Sequence, residues 1–358
     1  MNRIYTTIIG TGKYIPTECV PNEEFITYDF LETTGAPIEK SNQDIIDKFQ
    51  EITTIAERRY VTDDLVTSDI ATFAALEAIK SAEIDKEDLD YVIMAHNFGD
   101  VRYDVRKTDI VPSLASRVKY KLGIENPKTV AYDVIFGCPG WLQGVIQADY
   151  YIKSGDAKKI LVIGAEVLSR IADPHDRDSM IYSDGAGAVI LEGKESVEPT
   201  GILAKLTRSD TLLHSGMLHM GVSYDKEDKS GDLFLKMNGR KLYQYALENV
   251  PQSIKDCLDK AGIHISRVRT VLIHQANGKM DDAIISRLFK LYGLENIPED
   301  IMPMTISKLG NSSVATIPTL LDILKREEMK PYKINKDDIL VFASVGAGMN
   351  INAVIYKV

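Results

Sequence analysis

The stretch IHISRVRTVLIHQAN, residues 263–277, repeats the pattern of IDKEDLDYVIMAHN, residues 84–97. Each runs from a short polar turn into an apolar, β-branched segment of strand length and ends on a histidine. Each also follows an amphipathic stretch, whose spacing predicts helices over 67–81 and 239–261. His96 and His274 stand 178 positions apart (274 − 96), about half of the 358 residues. Two further pairs follow in the same order, one 179 positions apart (337 − 158) and one, with an insertion, 161 apart (346 − 185). KKILVIGAEV from Lys158 matches DDILVFASVG from Asp337, and GAGAVILE from Gly185 matches GAGMNINAVIYKV from Gly346. Three matches in the same order, two of them at nearly one offset, indicate an internal duplication. Continuous apolar runs such as KILVIGA and ILVFAS imply strands buried on both faces, and their alternation with helices implies an α/β fold. The chain therefore reads as two pseudo-equivalent halves, 1–195 and 196–358, joined through GKESVEPT at 193–200. Polar stretches near 26–56, 98–110 and 207–236 read as insertions, which at strand ends commonly shape binding sites.

Composition narrows the function classes. Lys and Arg number 42 against 52 Asp and Glu, a net charge of −10, which counts against a general nucleic-acid binder. An acidic partner would need a local basic patch. Three widely spaced cysteines, Cys19, Cys138 and Cys257, argue against a disulfide framework and for a reducing cytosol. No window resembles a secretory signal or a membrane span, so a soluble cytoplasmic protein is expected. The histidines other than His96 and His274 show no metal-ligand spacing, and no metal is expected.

Three residues carry candidate chemistry, each with an ordinary structural explanation when read singly. Cys138 lies in TVAYDVIFGCPGWLQGVIQADYY, between a strand and a helix whose first residue would be Pro139. As the cap of that helix, its sulfur would sit at the positive helix end, which favours thiolate. The alternative is a structural cysteine, the reading given to Cys19, after a loop, and to Cys257, on a helical face. His274 ends a strand, where α/β proteins place ligands. His96, at the duplicated position but without a matching cysteine motif, ranks second. Asn311 sits in SKLGNSSVATIPTLLDIL, a turn with helix-capping serines. This segment corresponds in the duplicate to the one carrying Cys138, so the two turns should face each other.

Together FGCPG at 136–140, HQAN at 274–277, GNSS-ATIP from Gly310 and GAGMN at 346–350 resemble the thiolase-like condensing enzymes. The closest likeness is to the β-ketoacyl-acyl carrier protein synthase III family, which also carries counterparts of TSDIA at Thr67 and DR-S-I-SDGAGA at Asp176. The resemblance implies a duplicated thiolase-like fold, a layered α-β-α-β-α sandwich with a pseudo-twofold axis. It implies an acyltransferase that starts fatty acid synthesis by condensing an acyl thioester (acyl-CoA) with malonyl-acyl carrier protein. Cys138 would be the nucleophile, and His274 and Asn311 would stabilise the enolate. Backbone N–H groups of Cys138 and Gly346 would bind the tetrahedral oxyanion. Arg177, Val111, Trp141 and Arg240 would contact substrate, and Lys279, Arg287 and Lys290 would dock the carrier protein. No tightly bound cofactor is implied, and a homodimer is, with Asp109–Ala115 near the partner's active site. Where the family grips coenzyme A with a Trp and an Arg, this chain has Lys48 and Ile52. Val111 replaces a bulky aromatic, which implies a roomier acyl pocket. Two other readings share these motifs: a condensing enzyme of specialised lipid or polyketide synthesis, and a non-catalytic homologue that binds acyl carrier protein.

Overall fold

The computed structural model describes residues 3–358. The first half holds β1 (Arg3–Tyr14), β2 (Glu18–Pro21), β3 (Glu57–Tyr60), β4 (Tyr91–Ala95), β5 (Val130–Val134), β6 (Lys159–Val167) and β7 (Asp184–Ser196). Its helices are α1 (Asn42–Thr53), α2 (Thr67–Ala82), α3 (Leu114–Lys121) and α4 (Gly140–Ser154). The second half holds β8 (Gly201–Ser209), β9 (Leu218–Gly221), β10 (Phe234–Met237), β11 (Val268–Ile273), β12 (Ile339–Gly346) and β13 (Asn350–Lys357). Its helices are α5 (Thr211–His214), α6 (Gly239–Ala261), α7 (Gly278–Lys290), α8 (Ile306–Leu309) and α9 (Thr316–Lys325).

The two main sheets run β1-β7-β6-β4-β5 and β8-β13-β12-β11. Matched strand for strand, they have one topology: β4 lies parallel to β6 as β11 does to β12, and the remaining shared pairs are antiparallel. The duplicated sequence segments are β4 and β11, β6 and β12, β7 and β13. Among the described residues the second sheet has no counterpart of β5. A lone backbone bond from Val271 N–H to the Ile301 carbonyl, 2.7 Å, stands at that edge.

Residues buried on both faces of β6 and β12 require cover on both sides, and helices supply it. Ala71, Ala74, Ala75 and Ala78 of α2 close one outer face, and Val250, Ile254 and Leu258 of α6 the other. Between the sheets, Leu142, Val145 and Ile146 of α4 and Ile317, Leu320 and Leu324 of α9 pack against Val162, Leu272, Phe342 and Val354. That is the expected five-layer sandwich. The chain crosses between sheets after Ser196, and the middle layer draws on both halves at once.

The central helices decide where chemistry can occur. The turns entering α4 and α9 lie at the same seam, and Tyr182 and Asn311 form a parallel bridge there. The three polar insertions also end at this seam. α1 lies in the first, Phe98 begins the second, and the β9-β10 hairpin belongs to the third.

Candidate active site

Cys138, His274 and Asn311 line one cavity of about 420 Å³, together with Asn97, Phe98, Leu218, Met220 and Leu235. Its walls are mainly apolar, with few polar groups converging on the sulfur, as in small-molecule sites generally. A second cavity of about 530 Å³ shares Ile181, Met237, Leu242, Ala276 and Met280 with the first. Lys40, Lys48, Arg177 and Arg240 line it beside Asp44 and Asp178, so a vestibule with a positive excess adjoins an apolar chamber.

The loop before α4 holds Cys138 against the end of β12. Gly137 has φ +65°, and a Cβ there would lie 2.6 Å from the Ala347 nitrogen. A Cβ on Gly346 would lie 2.5 Å from the Cys138 nitrogen. Neither position can carry a side chain without parting the two halves. Gly346 therefore makes room, while Ala347 and Gly348 line the cavity. The turn after Gly346 thus lines the chamber.

His274 is buried, with 4% exposure. Its main-chain N–H bonds the Ala343 carbonyl at 2.9 Å, continuing the β11-β12 pairing. The rest of HQAN fixes the surroundings. Gln275 donates to the Pro303 carbonyl and accepts from the Thr305 and Ile306 N–H groups. Asn277 caps α7 by accepting from the Met280 N–H. Asn311 is aimed similarly: its Oδ1 accepts from the Ser313 N–H at 2.8 Å, leaving the Nδ2 donors for the cavity.

Burial pushes the Cys138 thiol up to about 11, and nearby Glu166 adds to the rise; a hydrogen bond from Ser313 Oγ, 3.4 Å from Sγ, opposes it. α4 begins at Gly140 with Pro139 as its cap, so the cap falls one residue after the expected Cys138.

Burial pushes the His274 imidazole down to about 4, against a contact with the Ser313 backbone that pulls upward. Unfolded histidine takes its proton near pH 6.5, so between about 6.5 and 4 the unfolded chain binds more protons and stability falls as pH falls. From pH 7.5 to 5 this residue should remove about 2 kcal/mol. Urea unfolding of wild type and His274→Gln at both pH values checks this. Wild type should lose about that much more than the variant, and equal losses would contradict it.

Other assignments move. Trp141 is a core residue with 1% exposure; its indole N–H bonds the Val162 carbonyl at 3.4 Å and its ring meets Phe342 edge-on. It cannot contact substrate. Trp141→Ala should destabilise the fold by about 3–5 kcal/mol in urea unfolding while leaving the choice among acyl donors unchanged. A shift in that choice without loss of stability would restore the substrate role. Val111 is 82% exposed and does not line the cavity of its own chain. Arg177 and Arg240 do line the vestibule, as do Lys48 and Ile52. Lys279, Arg287 and Lys290 are exposed on α7 at spacings that share one side of the helix. Lys279 pairs with Glu51 at 3.3 Å, and Arg287 bonds the Leu247 carbonyl at 3.2 Å.

His96 is committed elsewhere: Nε2 meets Asp133 at 3.0 Å and Nδ1 accepts from the Gly99 N–H. Cys257 is buried against the Ala353 carbonyl, but Cys19 is exposed on β2, contrary to its structural reading. Two polar neighbours of the sulfur, Ser313 and Asn97, escaped sequence reasoning. Ser313 read as a helix cap, whereas it has φ +53° and turns its hydroxyl to Cys138. Among the described residues no group of three or more His, Cys, Asp or Glu side chains could hold a metal, and no helix is long and apolar enough to cross a membrane.

Comparison with known proteins agrees with this geometry. The family model of 3-oxoacyl-acyl-carrier-protein synthase III matches residues 132–211, and that of its C-terminal part matches 258–358. A β-ketoacyl-acyl-carrier-protein synthase III of Ehrlichia ruminantium (strain Gardel) is 32% identical over 343 residues, 96% of each chain. The crystal structure of 3-oxoacyl-acyl-carrier-protein synthase III from Aquifex aeolicus VF5 superposes with a TM-score of 0.78 at 29% identity, covering 99% of this chain and 100% of that one. The β-ketoacyl-acyl-carrier-protein synthase III of Thermus thermophilus gives a TM-score of 0.79 at 28% identity, covering 98% and 99%. With its thiolase-like sandwich and full-length likeness, the chain belongs to the 3-oxoacyl-acyl-carrier-protein synthase III family.

Proposed function

We propose that this acyltransferase condenses an acyl thioester, acyl-CoA, with malonyl-acyl carrier protein to give 3-oxoacyl-acyl carrier protein, the step that starts fatty acid synthesis. The observation that carries the reading is the convergence of Cys138, His274 and Asn311 on one apolar chamber beside a vestibule with a positive excess. Cys138 sulfur attacks the acyl carbonyl; the new S–C bond replaces that to the donor sulfur, which leaves as a thiol with the proton. The malonyl thioester then sheds CO₂, and the C–C electrons become an enolate. Asn311 Nδ2–H and the single N–H of a neutral His274 imidazole donate to the enolate oxygen. The enolate carbon attacks the acyl-Cys138 carbonyl, whose oxyanion is met by the N–H groups of Cys138 and of the turn after Gly346; as that oxyanion collapses, the C–S bond breaks and Cys138 leaves as thiolate, which takes a proton from water to restore the thiol.

Arg177 and Arg240 hold the anionic part of the donor at the vestibule, and Lys279, Arg287 and Lys290 on α7 receive the acidic carrier protein. The enzyme works in the cytoplasm as a homodimer without a tightly bound cofactor, and Val111 in Asp109–Ala115 closes the partner's chamber rather than its own. The test is incubation with malonyl-acyl carrier protein and acyl-CoA donors of graded length, read by the mass of the carrier. A 3-oxoacyl carrier product is expected with at least one donor, and its absence with all of them would reject the reading.

A further inference from the structure

The sulfur of Cys138 is the end of a hydrogen-bonded chain that leads out of the cavity to a buried carboxyl. Ser313 Oγ–H donates to Sγ at 3.4 Å, and Asn97 Nδ2 donates to Ser313 Oγ at 3.4 Å. The same amide donates to Glu166 Oε2 at 2.8 Å, and the Asn97 main-chain N–H reaches both carboxyl oxygens at 3.1 and 3.2 Å. Glu166, at the end of β6, is wholly buried. Both links start from one amide nitrogen, so a charge on Glu166 alters the hydrogen bond that Asn97 gives to Ser313, and through it the one that Ser313 gives to the sulfur.

We propose that Glu166 is a positioning residue that sets the reactivity of the Cys138 sulfur through Asn97 and Ser313. Burial pushes the Glu166 carboxyl up to about 7, while His96 and the Asn97 and Phe98 N–H groups pull it down. His96, itself paired with Asp133 of β5, and Cys138 are the titratable groups facing it. Neutral Glu166 lets the thiol ionise more readily; ionised Glu166 places a negative charge near the sulfur and holds the proton on it. The device sharpens the assignment of Cys138 as acyl acceptor, on which it rests, yet its test needs no acyl donor.

The experiment is the pH dependence of iodoacetamide alkylation at Cys138, followed by peptide mass in the intact protein, which separates it from Cys19 and Cys257. In wild type the logarithm of the rate should rise with pH, flatten near pH 7 as Glu166 ionises, then rise again. Glu166→Gln keeps an acceptor for Asn97 but no charge; its profile should lack the flattening and run about 3–10-fold faster above pH 8. Ser313→Ala should slow alkylation and shrink the effect of Glu166→Gln when the two are combined. A wild-type profile with no inflection near pH 7 overturns the proposal even if the Gln variant fails to fold, and superimposable wild-type and Glu166→Gln profiles overturn it as well. Alkylation that follows this pattern while no acyl group is taken up from any donor would fault the condensation reading and spare the relay.

Discussion

Cys138→Ala will take up no acyl group from any thioester, and its condensation rate will fall on the order of 10⁴-fold or more. The size of the effect follows from what the residue is asked to do. A covalent intermediate divides the acyl transfer into two steps, and without the sulfur neither has a route. The substitution should leave the fold intact: the loop is held by Gly137 and Gly346 meeting across the seam, and the side chain itself is only half-buried. Steady-state condensation and intact mass after exposure to acyl-CoA measure both halves of the prediction. Retained condensation would remove Cys138 from the mechanism.

His274→Ala and Asn311→Ala should each lower condensation by about 10²–10³-fold, the usual cost of one oxyanion donor. In the proposed mechanism both donors serve the enolate, so acylation of Cys138 should survive far better than loss of CO₂ from the malonyl thioester. The double variant should fall less than the product of the two, because one remaining donor cannot position the enolate alone. Release of CO₂ from malonyl-acyl carrier protein, measured beside acyl uptake, separates the steps. Equal loss in both would mean that the two residues merely support the loop. Asn311 has the stronger geometric case, since its carbonyl oxygen is pinned by the Ser313 N–H and its amide is thereby directed. His274 depends on being uncharged, and its burial secures that above about pH 4.

The duplicated segments ending at His96 and His274 made most of the fold legible, because a sheet covered on both faces leaves long apolar runs in the chain. Helix limits followed from the same periodicity: Thr67–Ala82 and Gly239–Ala261 lie where the spacing placed them. The missing fifth strand of the second sheet was not legible, because its absence depends on how 294–305 meets Val271 rather than on local pattern. Within the site, Cys138 and His274 are recognisable because each ends an apolar run, and Asn311 because its turn matches, in the duplicate, the one that carries Cys138. Trp141 misled by its position. It lies close to Cys138 in sequence, but the helix turns it inward toward Val162 and Phe342. Ser313 was hidden because a serine after Gly-Asn already has a capping explanation, and only its positive φ shows the hydroxyl turned to sulfur. Glu166 gave no sign, since an acidic residue closing an apolar strand reads as its exposed end.

A single-turnover experiment tests the central claim most directly. The protein is loaded with acyl-CoA, freed of excess donor, and then given malonyl-acyl carrier protein while the mass of the Cys138 peptide is followed. The acyl mass should reside on that peptide alone and leave it at the rate at which CO₂ and 3-oxoacyl carrier appear. An unmodified Cys138 peptide during productive turnover, or an acyl group that stays while product forms, would contradict the account.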